Sequence, residues 1–83
     1  MDPVVSNAKL IWLCRRGMLE LDLILSRFLK NQLEHLSNEQ RSVFLRMLDA
    51  PDPDLYAWFM GYETPEDTEV LSLVTLIRTH GTP

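Results

Sequence analysis

The sequence predicts an all-α fold, a compact five-helix bundle in a single domain, and three observations carry that prediction. Apolar residues recur at helical rather than alternating spacing, as in Leu21, Ile24, Leu25, Phe28 and Leu29. Helix punctuation is plentiful, with Ser37-Asn38-Glu39-Gln40, Asp52-Pro53 and Thr64-Pro65 as start signals and the isolated Gly17 and Gly61 as stops. Strand signals are missing: no stretch alternates apolar and polar for long, and no Asn-Gly or Asp-Gly hairpin turn occurs.

The elements follow in order. Ser6 or Asn7 caps a first helix over about 8–16, whose Leu10-Ile11-Trp12-Leu13 is apolar on nearly every side. Gly17 offers a stop, and a longer helix over about 18–36 carries the Leu21 to Leu29 stripe. Ser37 with Gln40 reads as a capping box for a third helix, about 38–48, with Val43, Phe44, Met47 and Leu48 on one face. Pro51 and Pro53 break the chain, and Asp52 is read as the N-cap of a short helix, about 53–60, with Leu55, Trp58 and Phe59 inward and Gly61 at its end. Thr64-Pro65 opens a last helix, about 65–79, with Val70, Leu73, Val74 and Ile77 on its buried side and Glu66 and Asp67 favoured near its start by the helix dipole. Residues 1–6 are expected to be flexible.

Composition narrows the function. At 83 residues there is room for one modest core, which the 46% apolar content can fill. The formal net charge is −4, and eight basic residues are dispersed among twelve acidic ones, with only Arg15 and Arg16 adjacent. That pattern argues against nucleic acid as a partner, because a binder of phosphates gathers its Lys and Arg on one face. No apolar run approaches the ~20 residues of a membrane helix, and Met1-Asp2-Pro3-Val4-Val5 has neither a secretory nor an organelle-targeting pattern. The expectation is a cytoplasmic protein of bacterial type.

Catalytic and metal chemistry find no foothold. Cys14 is the only cysteine and stands beside Ile11, Trp12 and Leu13, the setting of a buried small hydrophobe. His35 and His80 are far apart, fit no ligand spacing, and read as exposed helix-end residues. No Gly-rich loop is present to cradle a dinucleotide. The expectation is therefore no catalytic residue, no metal, no tightly held cofactor and no enzyme activity.

The stretch Arg15-Arg16-Gly17-Met18-Leu19-Glu20-Leu21-Asp22 stands apart. Read as a helix junction, it places two cations at the end of one helix, Gly17 as C-cap, and Glu20 in the first turn of the next. Read as an interface, it places Arg16 four residues from Glu20, within pairing distance on a continuous helix, beside an exposed Met18 and a glycine that lets a partner's backbone approach. The residues alone leave both readings open.

Arg16-Gly17-Met18-Leu19-Glu20 resembles the RGxxE motif of the succinate dehydrogenase FAD assembly factor family, which also serves fumarate reductase. Leu21-Asp22-Leu23-Ile24-Leu25 with Phe28, Asp52-Pro53-Asp54-Leu55-Tyr56-Ala57-Trp58-Phe59-Met60-Gly61 and Val74-Thr75-Leu76-Ile77-Arg78 are similar to later parts of the same family, so the resemblance spans nearly the whole chain. It implies a five-helix chaperone that binds the flavoprotein subunit of succinate dehydrogenase or fumarate reductase and promotes covalent attachment of that client's FAD. The implied binding residues are Arg16, Gly17 and Glu20, with Arg15, Met18 and Asp22 beside them and Asp54 and Tyr56 as further candidates. The alternatives are a generic helical adaptor or antitoxin-like regulator without a flavin role, and a flavin carrier in its own right. Oligomeric state is open, since the apolar first helix suits either a core or a dimer contact.

Overall fold

A computed structural model describes residues 6–80, the side chain of His80 excepted. Five α-helices succeed one another: α1 (Asn7–Leu13), α2 (Leu19–Gln32), α3 (Asn38–Leu48), α4 (Asp52–Met60) and α5 (Thr68–His80), with one 3-10 turn at Leu33–His35. The expectations for residues 1–5 and for the His80 side chain lie outside the described residues. Ser6 caps α1, its side chain accepting the Lys9 N–H at 3.1 Å.

The core forms where the apolar stripes converge. α5 packs against α2, α3 and α4, while α1 leans on α3. Leu21, Leu25 and Phe28 of α2, Phe44 and Met47 of α3, Leu55 of α4 and Ile77 of α5 are all fully buried. Phe28 and Phe44 stack at 5.9 Å between ring centroids, which adds aromatic contact to the area that each ring removes from water.

Helix ends differ from the sequence expectation in four places, and at each a specific polar contact accompanies the shifted boundary. α1 stops at Leu13, short of Arg16, because a tight turn carries the Arg15 N–H to the Trp12 carbonyl at 3.2 Å. α2 begins at Leu19 and gives way after Gln32 to the 3-10 turn, where the buried Arg41 draws in the Leu33 and Leu36 carbonyls at 2.9 and 3.4 Å. The N-cap of α4 is Pro51, so Asp52 is the first helical residue and its carboxylate is free to leave the helix. α5 begins at Thr68, behind an Asp67 cap that accepts the Glu69 and Val70 N–H groups at 2.9 and 3.3 Å, while Pro65 is buried ahead of it.

Two expected caps are in place. Ser37 and Gln40 form the reciprocal capping box of α3. Gly61 closes α4 at φ 79°, the left-handed conformation that favours glycine. Gly17 differs: Gly61 is the only described glycine with positive φ, so Gly17 is not a left-handed C-cap. Between α3 and α5, Arg46 bonds to Asp67 at 2.9 Å and to Glu69 at 3.1 Å on the surface. The Arg46 hydrogen bond, followed by that of the Val70 amide, holds the Asp67 carboxyl below the usual carboxylate range.

Candidate functional site

The candidate site is the connection between α1 and α2, residues 14–18. It is short, and it is fixed from both sides. The Arg16 backbone N–H donates to Asp22 Oδ1 at 2.6 Å, so a residue of the first turns of α2 reaches back to anchor the connection ahead of it. Met18, the N-cap of α2, has an extended backbone and no side-chain cap.

The Arg16 side chain turns inward. Its Nε donates to Asp52 Oδ1 at 2.8 Å, its Nη1 to the Leu13 and Leu48 carbonyls at 3.2 and 3.3 Å, and its Nη2 to the Ala50 carbonyl at 3.2 Å. Leu13 and Leu48 are the last residues of α1 and α3, where carbonyls have no partner within their own helix. One planar guanidinium thus serves the C-terminal ends of two helices, where a cation suits the helix dipole, and binds a carboxylate at the start of a third. Only 18% of the Arg16 side chain is exposed.

The pairing of Arg16 with Glu20, which the interface reading allowed on a continuous helix, does not form, and Arg16 is not the outward-facing binding residue that the resemblance implied. The pairing required a continuous helix through Gly17, and the connection is not helical there. Glu20 is exposed, and among the described residues its side chain makes no hydrogen bond or ion pair. The Arg15 side chain is likewise exposed and has no polar partner among the described residues. Met18 is half-buried and packs against the core rather than standing exposed, and Asp22 is half-buried on the Arg16 amide. Asp54 is exposed, while Tyr56 is half-buried with its ring edge-on to Tyr62.

Gly17 is exposed, and a Cβ built on it meets no atom within 4 Å. Its φ is not positive either. Neither backbone strain nor internal packing calls for glycine at this position. Large apolar side chains stand exposed on the two helices that the connection joins: Trp12 is 68% exposed, Leu19 66%, and Ile11 and Leu23 about half. A cleft of about 530 Å³ runs from Arg15 and Asp22 past Ile11, Cys14 and Leu29 to His35, between α1 and the later part of α2.

Cys14 lies at the edge of that cleft but is 4% exposed, and burial pushes its thiol up to about 12, with the Arg16 charge opposing that rise. A thiol raised in the folded state contributes stability that is present below its ordinary value, near 9, and lost as pH rises towards 12. Denaturant titrations between pH 8 and 11 are expected to show stability falling, with Cys14→Ala flattening the fall. An equal decline in both proteins would count against a buried thiol. Among the described residues no group of His, Cys, Asp or Glu is placed to hold a metal ion, and no helix is long and apolar enough to cross a membrane.

Sequence reasoning missed two residues that shape this site. Asp52 was read as a helix cap, and it is the acceptor for Arg16, 36 positions away in sequence. Arg41, which no sequence signal singles out, is 9% exposed and also donates to Asn7 Oδ1. No local spacing announces either contact, because both join segments brought together only by the fold.

A small helical protein with a fixed helix junction and an unpartnered, partly apolar surface around it has the make-up of a binding or assembly factor. The chain belongs to the family described as flavinator of succinate dehydrogenase, whose model matches residues 8–81. It is 49% identical over 72 residues to the FAD assembly factor SdhE of Legionella pneumophila (strain Lens), covering 87% of this chain and 90% of that one. It is 43% identical over 80 residues to the SdhE of Shewanella oneidensis, covering 96% and 98%, and 40% identical over 78 residues to that of Coxiella burnetii, covering 94% and 95%.

Proposed function

We propose that this protein is an assembly factor that binds the flavoprotein subunit of succinate dehydrogenase, and of fumarate reductase where that is present, and promotes covalent attachment of its FAD. The observation that carries the surface assignment is Gly17: exposed, with open space where a side chain would stand, and with no conformational need for glycine. A glycine that the fold does not require suits close approach by another protein's backbone. Glu20 and Arg15, exposed and without polar partners among the described residues, supply charges for that partner, and Trp12, Leu19 and Leu23 supply apolar area.

The bond-forming chemistry stays with the flavin and the client. Attachment requires the reacting flavin carbon and the accepting histidine of the client to be held close, and that alignment is where rate is gained. The assembly factor raises the population of the aligned client by binding it more tightly than misaligned forms, and its effect is bounded by that difference in affinity. No acid, base or cofactor of its own enters this account.

Glu20→Ala tests the reading directly. With purified flavoprotein subunit and FAD, the wild type is expected to form a complex with the subunit and accelerate covalent flavin incorporation, followed by in-gel flavin fluorescence. Glu20→Ala is expected to weaken the complex about tenfold, a loss of about 1.4 kcal/mol, with its helical content unchanged. A wild-type protein that neither binds the subunit nor speeds incorporation would sink the proposal.

A further inference from the structure

Resting on that reading, we infer that Arg16 acts from behind the client-facing surface: it is a positioning residue that works together with Asp52 to hold Gly17 and Glu20 in their docking arrangement. Five polar contacts converge on Arg16. Four leave its guanidinium for Leu13, Leu48, Ala50 and Asp52, and the fifth leaves its backbone N–H for Asp22. Between them these contacts reach the end of α1, the end of α3, the start of α4 and the first turns of α2. Gly17 is the next residue in the chain and Glu20 is the second residue of α2, so both inherit their placement from this knot.

The arrangement separates two roles that adjacent residues are easily credited with together. A guanidinium whose donors are already directed to three carbonyls and one carboxylate, with most of its surface covered, has little left to offer an incoming protein. Its neighbours are the reverse: Arg15 and Glu20 are exposed and, among the described residues, their side chains have no polar partner. A non-helical connection left loose would have to be ordered on binding, and ordering it beforehand raises affinity without any new contact across the interface. Asp52 is the one charged partner of the guanidinium, and its 2.8 Å bond to Nε fixes the plane of the group and so the direction of the other three N–H donors.

The inference is tested with Arg16→Lys, Asp52→Asn and the double variant, each measured for helical content, thermal midpoint and affinity for purified flavoprotein subunit at 25 °C. Lysine keeps the charge but loses the planar fork, and asparagine keeps the size but loses the charge. Each single variant is expected to remain helical and to bind the subunit about tenfold more weakly, and the double variant to bind no more weakly than the worse single, since both changes undo one knot. Wild-type affinity in Asp52→Asn together with a loss in Arg16→Lys would mean that Arg16 meets the client directly, and would overturn the inference. So would lowered thermal midpoints with unchanged affinity, the mark of a purely structural contact. Both of these leave the proposed function intact, whereas a wild-type protein that fails to bind the subunit overturns that function and this inference with it. Should the lysine variant not fold, Asp52→Asn alone still decides between direct contact and positioning.

Discussion

Gly17→Arg is expected to leave the bundle folded and to abolish productive docking on the flavoprotein subunit, with affinity falling about a hundredfold or more, equivalent to about 2.8 kcal/mol. Space on two sides of the same atom decides both effects. On the inner side, nothing lies within 4 Å of the position of a Cβ, and φ is not positive, so the isolated protein tolerates a side chain there. On the outer side, a long cation would stand where the partner's backbone is proposed to approach. Gly17→Ala separates the two. Removing glycine's freedom from the unfolded chain stabilises a compatible site by roughly 0.4–1 kcal/mol, so this variant is expected to melt at or above the wild-type temperature while docking more weakly. Circular dichroism melts and co-elution with the subunit read the two effects independently. A Gly17→Arg protein that remains folded and supports full flavin incorporation would remove the connection between α1 and α2 from the interface.

The largest effect on stability is expected at Phe44. It is fully buried and its ring stacks on Phe28, which is also fully buried. Truncating such a ring to alanine removes its transfer free energy and leaves a cavity, together about 3–5 kcal/mol. Total stabilities of small domains are on the order of 5–15 kcal/mol, so Phe44→Ala is expected to lose most of the folded population's margin. A urea titration followed by circular dichroism should show the midpoint fall sharply with little change in slope. A loss below about 1 kcal/mol would mean that the core closes around the gap, which the stacked Phe28 and a core otherwise filled by residues such as Leu21, Leu25 and Ile77 make difficult.

Much of this fold is written locally, and the parts that are not share one cause. The stripe Leu21, Ile24, Leu25, Phe28 and Leu29 is buried along its whole length, as are Val70, Leu73, Val74 and Ile77, because periodicity reports a face that any core must cover. The Ser37–Gln40 capping box needs no residue outside its own turn and occurs as read. Asp52 and Thr64-Pro65 misled because helix caps are choices among nearby oxygens, and tertiary partners decide them: Arg16 draws Asp52 away, and Asp67, held by Arg46, opens α5 instead. The candidate site follows the same division. Gly17 and Glu20 could be named from the chain alone, whereas the inward turn of Arg16 depends on carbonyls of Leu48 and Ala50 that no pattern around position 16 encodes.

The two tryptophans occupy opposite environments. Trp12 stands 68% exposed just ahead of Arg15, and Trp58 is tucked part-way against the core. Excited at the indole band, the first is a reporter of whatever covers the neighbouring surface, because its emission shifts to the blue when water is displaced. The second is a reporter of whether the helices hold together. With Trp58→Phe and Trp12→Phe in hand, encounter and unfolding become two optical signals from one unlabelled molecule.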